Sequence, residues 1–265
     1  VIDVDGFTRD GFVVVPGALD GARVDTLRRD LDVARPRAVR VGGGRVLADP
    51  GASIPSVRAL LTDRSTLALA RRLVGDPVME IHQSAAHFGA VNRGWHKDCA
   101  DYMKGDADGP DWSDDYRIVH FAWYLQDHVS HGGGVSFRRG SQRIANDREG
   151  EIVTPGVRSG DLVVFDLRTT HFGNTIQLRW KRRGVFLDRL WRLTGRAARL
   201  TPWAATSYAV RALHGVFLPE HGERRLVVFC MYGADDAHTK RFFAWLQGQP
   251  DLAHVLAYSS PTPLT

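Results

Sequence analysis

Two side chains able to hold a metal, His96 and Asp98, stand two residues apart in the run Gly94-Trp95-His96-Lys97-Asp98. On a strand or strand end the side-chain period is two, so both project the same way and one imidazole meets one carboxylate at a point. A second histidine arriving from elsewhere would complete one face of an octahedral ion and leave the opposite face open. That is the 2-His-1-carboxylate arrangement of non-haem Fe(II) sites. The chain has 11 histidines, and roughly one His-x-Asp is expected by chance in such a sequence, so the pair means something only if the rest of the chain supplies the other parts.

The elements that must position the pair can be read from the apolar periodicity. Residues 7–16 read as a short helix end, a turn at Gly11 and a buried strand. Asp20 caps a helix through about Ala34, with Val24, Leu27 and Leu31 on its apolar face. Residues 35–53, rich in Gly, Arg and Pro, form a loop or hairpin. Gly42-Gly43-Gly44 does not follow a strand and open a helix as a phosphate loop would. Thr62 or Asp63 opens a second helix that ends at Gly75. From Val78 the pattern changes to alternation, with strands expected over 78–88, 119–126, 135–138, 152–154, 161–166 and 225–232. Val119, Phe121, Trp123 and Leu125 share one strand face. Asp235 or Asp236 caps a closing helix through Gln247.

Short strands in series, with helices gathered at both ends of the chain, argue for a mainly β barrel or sandwich with helices packed outside it. One domain over residues 1–265 is expected, without internal repeats. Residues 176–223 interrupt this series as an insertion. There Phe186, Leu190, Leu193, Ala197 and Leu200 follow helical spacing, opposite a stripe of Arg189, Arg192, Arg196 and Arg199. Such a basic helical insertion is expected to lie over the active site as a lid.

Composition narrows the classes. The chain has 265 residues, 43% hydrophobic and 25% charged, enough for one sizeable core. No run of eighteen apolar residues indicates a membrane span. The acidic N-terminus carries no signal-peptide pattern, and only Cys99 and Cys230 are present. A disulfide framework is therefore not expected, and a cytoplasmic location is. The net charge of +5 is uneven: from Thr175 to Arg225 eleven Lys/Arg face three Asp/Glu, leaving −3 for the remainder, so the basic character is assigned to that segment.

Several motifs in order resemble the phytanoyl-CoA dioxygenase superfamily. They are Asp10-Gly11-Phe12-Val13-Val14-Val15-Pro16, Trp95-His96-Lys97-Asp98, Gly133-Gly134-Val135 leading to Gly140-Ser141, Gly160-Asp161-Leu162-Val163-Val164-Phe165, Thr170-His171-Phe172-Gly173-Asn174 and Arg224-Arg225-Leu226-Val227-Val228-Phe229. The resemblance implies an Fe(II)- and 2-oxoglutarate-dependent oxygenase on a double-stranded β-helix, a cupin-like jelly-roll. It implies that His96, Asp98 and His171 hold the iron, and that Arg225 pairs with the distal carboxylate of 2-oxoglutarate through its planar fork. Arg224 and Arg182 are the alternatives for that role, because the insertion displaces the usual spacing. Gln83 and Trp123 match positions that line the pocket in relatives, and Gly173 replaces the family's hydroxyl residue. Asp98 separates an oxygenase from halogenating relatives, where a small residue makes room for chloride. The runs 124–128 (Tyr-Leu-Gln-Asp-His) and 167–171 (Leu-Arg-Thr-Thr-His) look like the branch that oxidises oligosaccharide antibiotics, closing orthoester or methylenedioxy rings. The expected partners are O2 and a small, saccharide-containing substrate, with no nucleic acid and no membrane.

Competing expectations remain beside this one. A cupin-like metal- or sugar-binding protein would share the strands without the redox chemistry, and simple hydroxylation of another metabolite would share the site. His221-Gly222-Glu223 is a rival metal pair, better explained as a loop before a strand. The Arg stripe suits a solvated helix face, an anionic substrate group or an acidic partner. Nucleic acid would also require interleaved aromatic side chains. His82, His87, His120 and His131 are expected as core or surface residues, with His87 the best pocket liner. Cys99 is expected as a buried filler, and Trp112 as core or as a stacking platform for a ring.

Overall fold

Local capping explains where the helices begin. The computed structural model describes residues 2–41, 43–90, 94–128, 134–173, 226–249 and 262–264. Helix α1 (Val4–Asp10) is capped by Asp3 and ends at Gly11, whose φ of +82° is left-handed. Strand β1 (Phe12–Val15) follows. Asp20 accepts from the Arg23 amide and starts α2 (Gly21–Ala34), which buries Val24, Leu27 and Leu31. A hairpin, β2 (Val39–Val41) and β3 (Gly43–Ala48), leads into α3 (Pro50–Ser53) and α4 (Pro55–Leu61), each with a proline in its first turn. Asp63 then caps α5 (Arg64–Val74). Helix α4 is absent from the sequence expectation, because seven residues give too few periods to stand out.

The strands are β4 (Val78–Ala90), β5 (Ile118–Tyr124), β6 (Val135–Arg139), β7 (Glu151–Val153), β8 (Leu162–Asp166), β9 (His171–Gly173), β10 (Leu226–Ala234) and β11 (Thr262–Leu264). Short α6 (Ala100–Lys104) follows β4, and α7 (Ala237–Gln247), capped by Asp236, follows β10. The larger sheet runs β1-β8-β5-β10-β4-β3-β2, all antiparallel, and β11 pairs with the start of β4 beside β3. The smaller sheet is β7-β6-β9. Two facing antiparallel sheets with helices on one outer face make the expected double-stranded β-helix. Strand β11 was not foreseen: Thr-Pro-Leu carries too weak a strand signal to read alone.

Alternation assigns each face of the large sheet. Val13, Val15, Phe121, Trp123, Leu162, Val164, Val228 and Tyr232 point outward into a cluster with Leu27, Leu31, Leu60 and Leu61 of the helices. The Tyr232 hydroxyl donates to the Leu61 carbonyl at the end of α4, so its buried oxygen is satisfied. Phe12, Ala122, Tyr124, Val163, Phe165 and Val227 point inward and meet Val135 and Phe137 of the small sheet. Phe12 stacks on Phe137 with centroids 4.3 Å apart. Burial on both faces is why β5 and β8 read as near-continuous apolar runs.

One expectation needs amending. Residues 21–75 carry eleven Arg against five Asp, so the helical layer is itself basic and positive charge is not confined to one segment. The insertion at 176–223 lies outside the described residues. Among the described residues no helix is long and apolar enough to cross a membrane.

Candidate metal centre

The ligand segment is built as a short extra rung beside β9. His96 and His171 face each other as an antiparallel bridge, with main-chain N–H···O distances of 3.1 and 2.9 Å, and the Asp98 amide donates to the Leu167 carbonyl at 2.8 Å. Extended backbone sends His96 and Asp98 to one side and Lys97 to the other. The Lys97 side chain is fully buried, and its ammonium donates to the Ser141 and Arg168 carbonyls, both at 2.7 Å. Burial lowers that ammonium to about 8. Arg168 in turn grips Asp166, donates to the Asp111 and Ser113 carbonyls and lies 4.5 Å over the Tyr116 ring. The loop that ends at His171 is therefore tied at every second residue, and it carries the ligand segment with it.

Hydrogen bonds behind the two imidazoles decide which nitrogens face the centre. His96 Nδ1 lies 2.8 Å from the Gly94 carbonyl and His171 Nδ1 lies 3.0 Å from the Thr169 carbonyl. A carbonyl only accepts, so each Nδ1 carries the proton and each Nε2 presents a lone pair. Those Nε2 atoms lie 3.5 Å from Asp98, one at Oδ1 and the other at Oδ2. All three ligand atoms fall within 4.8 Å of one another. Three electron-pair donors thus converge with no proton to share between them, an arrangement that a cation relieves. The donor set of two imidazoles and one carboxylate fits Fe(II).

The electrostatics agree. Burial pushes the Asp98 carboxyl up, but the neighbouring His171, His120 and His96 outweigh it and hold the group well below the usual carboxylate range. Burial pushes the His171 imidazole down to about 3, so it is neutral and able to ligate at pH 7. The Cys99 thiol, next in sequence, is pushed up to about 12 by burial and packs with Ile81, Ala100 and Leu167 as a filler.

Aromatic side chains wall the centre. Phe165 lies 4.7 Å from the His171 ring. His120 on β5 sits between Phe165 and Phe229, at 4.9 and 5.1 Å, and His87 packs on the Phe229 ring at 4.6 Å. On the far side Trp95 packs against Phe172 at 5.6 Å, and the Arg138 guanidinium covers Trp95 at 4.7 Å.

The structure brings together His96, Asp98 and His171. It moves Trp123 elsewhere: on β5 that ring belongs to the helix-facing cluster with Val119 and Phe121, so it does not line the pocket. A residue two positions from Phe121 must share its face. Gln83 lies within β4, and its side chain is outside the described part. Arg225, Arg224 and Arg182 also lie outside the described residues, as do His131, His221 and Glu223. Trp112 is half-buried against the cluster around Cys99, 5.7 Å from the Lys97 ammonium, with its indole N–H given to the Asp106 carbonyl, so it serves the ligand scaffold. His120 is the site residue that the sequence expectation passed over. Its signal was its parity, opposite to the apolar stripe of the same strand.

The sequence matches the family described as phytanoyl-CoA dioxygenase (PhyH) over residues 7–177, which include all three candidate ligands. No curated protein sequence matches the chain. Among solved structures, the epimerase SnoN of nogalamycin biosynthesis, in complex with Fe3+, alpha ketoglutarate and nogalamycin RO, is similar with a TM-score of 0.61 and 19% identity, covering 99% of this chain and 94% of that one. HygX from Streptomyces hygroscopicus, with nickel, 2-oxoglutarate and hygromycin B bound, gives a TM-score of 0.54 at 17% identity over 86% and 85% of the two chains. EctD from S. alaskensis, with 2-oxoglutarate and 5-hydroxyectoine, gives 0.56 at 20% identity over 87% and 74%. At these identities the likeness is one of fold.

Proposed function

The chain belongs to the phytanoyl-CoA dioxygenase family and is a dioxygenase dependent on Fe(II) and 2-oxoglutarate; on that premise we propose that His96, Asp98 and His171 are its iron ligands and that it oxidises a C–H bond of an oligosaccharide or aminoglycoside antibiotic precursor. The observation that carries the ligand assignment is the convergence of two bare Nε2 atoms on one carboxylate, each imidazole fixed from behind by a main-chain carbonyl. Bound iron and 2-oxoglutarate supply oxygen activation and hydrogen abstraction, with succinate and CO2 as co-products. The chain's own residues hold and orient. His171 stays neutral, Asp98 stays ionised, and the Lys97 and Arg168 ties keep the two ligand segments in register before any substrate arrives.

Arg225 is assigned to the distal carboxylate of 2-oxoglutarate, with Arg224 and Arg182 as the alternatives, and Gln83 to the pocket wall. The substrate class is supported by HygX and SnoN, which hold hygromycin B and nogalamycin RO on the same fold. A cytoplasmic location is supported by two buried, unpaired thiols.

Anaerobic addition of Fe(II) and 2-oxoglutarate to the metal-free protein tests the assignment. A weak visible charge-transfer band is expected, and His96→Ala or Asp98→Ala removes it. Arg225→Ala is expected to weaken 2-oxoglutarate while sparing iron. A normal band in a variant lacking both His96 and Asp98 would falsify the ligand assignment, and unchanged 2-oxoglutarate affinity in Arg225→Ala transfers that role to Arg224 or Arg182.

A further inference from the structure

Asp98 has two oxygens, and a carboxylate that gives one lone pair to a metal still needs a hydrogen-bond donor on its remaining surface to fix its plane. Three side chains contact it among those described: His96, His171 and His120. The first two have spent their protons on the Gly94 and Thr169 carbonyls and offer only lone pairs. His120 differs. Its Nδ1 lies 3.4 Å from Asp98 Oδ2, is buried, and makes no hydrogen bond of ordinary geometry with any described residue, Asp98 being the nearest acceptor it faces. Its ring is held in that direction by Phe165 on one neighbouring strand and Phe229 on the other.

From this geometry we infer that His120 is a positioning residue for the metal centre: its Nδ1–H donates to Asp98 Oδ2 and sets the angle at which the carboxylate meets the ion. The inference rests on the ligand assignment above. A carboxylate only accepts, so a nitrogen that bonds to it carries the proton, and a neutral ring then leaves Nε2 bare. Of the three imidazoles around Asp98, two present lone pairs to the metal and the third presents a proton to the carboxylate. That division needs three different backbone elements: the rung after β4, β9 and β5. A ligand plane fixed in advance adds affinity because no rotamer has to be ordered on binding.

The test separates donation from packing. His120→Phe fills the slot between Phe165 and Phe229 without a donor, whereas His120→Asn keeps a donor at similar reach. Co(II) is titrated into metal-free wild type and both variants, following its d–d absorption. His120→Phe is expected to weaken Co(II) about 10- to 100-fold and to alter the band envelope, the range typical of losing a partner behind a ligand. His120→Asn is expected to recover most of the affinity. Wild-type affinity and spectrum in His120→Phe, or equal weakness in both variants, overturns the inference. A wild type that takes up no Co(II), or a His96→Ala variant that binds it normally, instead overturns the ligand assignment on which the inference rests. Should His120→Phe fail to fold, long-range proton–nitrogen spectra of the Zn(II)-loaded wild type decide, and a His120 protonated on Nε2 and bare on Nδ1 rejects the role.

Discussion

Strand β5 presents two faces that are buried to similar degree and do different work. Val119, Phe121 and Trp123 point out into the leucines of α2 and α4, while Ile118, His120, Ala122 and Tyr124 point in toward the small sheet and the metal centre. The outer face is held by area: Trp123 is 1% exposed and sits among apolar neighbours, so its contribution scales with the surface removed from water. The inner face packs Ala122 and Tyr124 on apolar side chains of the small sheet but also carries His120 to Asp98, where the ligand lone pairs converge. Burial by itself therefore says little about role. Which side of the sheet a residue occupies separates stability from chemistry.

That division can be broken by experiment. The largest effect belongs to the inner face. His171 is held down to about 3, against an ordinary value near 6.5. Between those values the unfolded chain binds a proton that the folded chain does not, so metal-free protein loses stability as pH falls from 6.5 toward 3, by at most about 5 kcal/mol. The contribution is fully present above 6.5. Urea unfolding of metal-free protein across that range should show the slope, and His171→Gln should flatten it. An unchanged slope in the variant denies the inner face its electrostatic cost.

Next comes the outer face. Trp123→Ala should lower stability by about 4 kcal/mol through lost burial and the cavity left behind. Its Co(II) affinity should remain that of wild type. Weakened metal binding with stability intact would mean that the two faces are coupled and that Trp123 reaches the pocket after all.

The smallest effect tests the seam between ligand segments. Lys97→Met keeps the buried stem but leaves the Ser141 and Arg168 carbonyls without their donor. A loss of about 2 kcal/mol in thermal or urea unfolding is expected, at the scale of unsatisfied buried groups. Because both carbonyls belong to segments that hold the ligands in place, metal affinity should fall with it. A variant as stable as wild type would show that the buried ammonium is a passenger.

Much of this was legible beforehand, for stated reasons. The caps at Asp20, Asp63 and Asp236 are local chemistry, and each helix begins one residue later. The near-continuous apolar runs of β5 and β8 mark strands covered on both faces. Helix α4 and strand β11 were not legible, because seven and three residues give too few periods to rise above background. Trp123 was misplaced and His120 overlooked for one shared reason. A strand pattern tells which residues lie together, but not which of two buried faces contains the cavity.

The sequence by itself determined the residue types and their order: a histidine and an aspartate at a spacing of two, a second histidine on a later strand, and glycines and capping residues that end each element where the next must turn. Those are properties of neighbours along the chain, and short-range sterics and hydrogen bonding suffice to express them. Only the tertiary structure decided that the His96 and His171 backbones pair directly, that their Nδ1 protons are taken up by the Gly94 and Thr169 carbonyls, and that His120 arrives from a third element beside Asp98. The physical reason is that a nitrogen's role as donor or acceptor is set by the partner it meets, and each of these partners depends on how the closed chain folds.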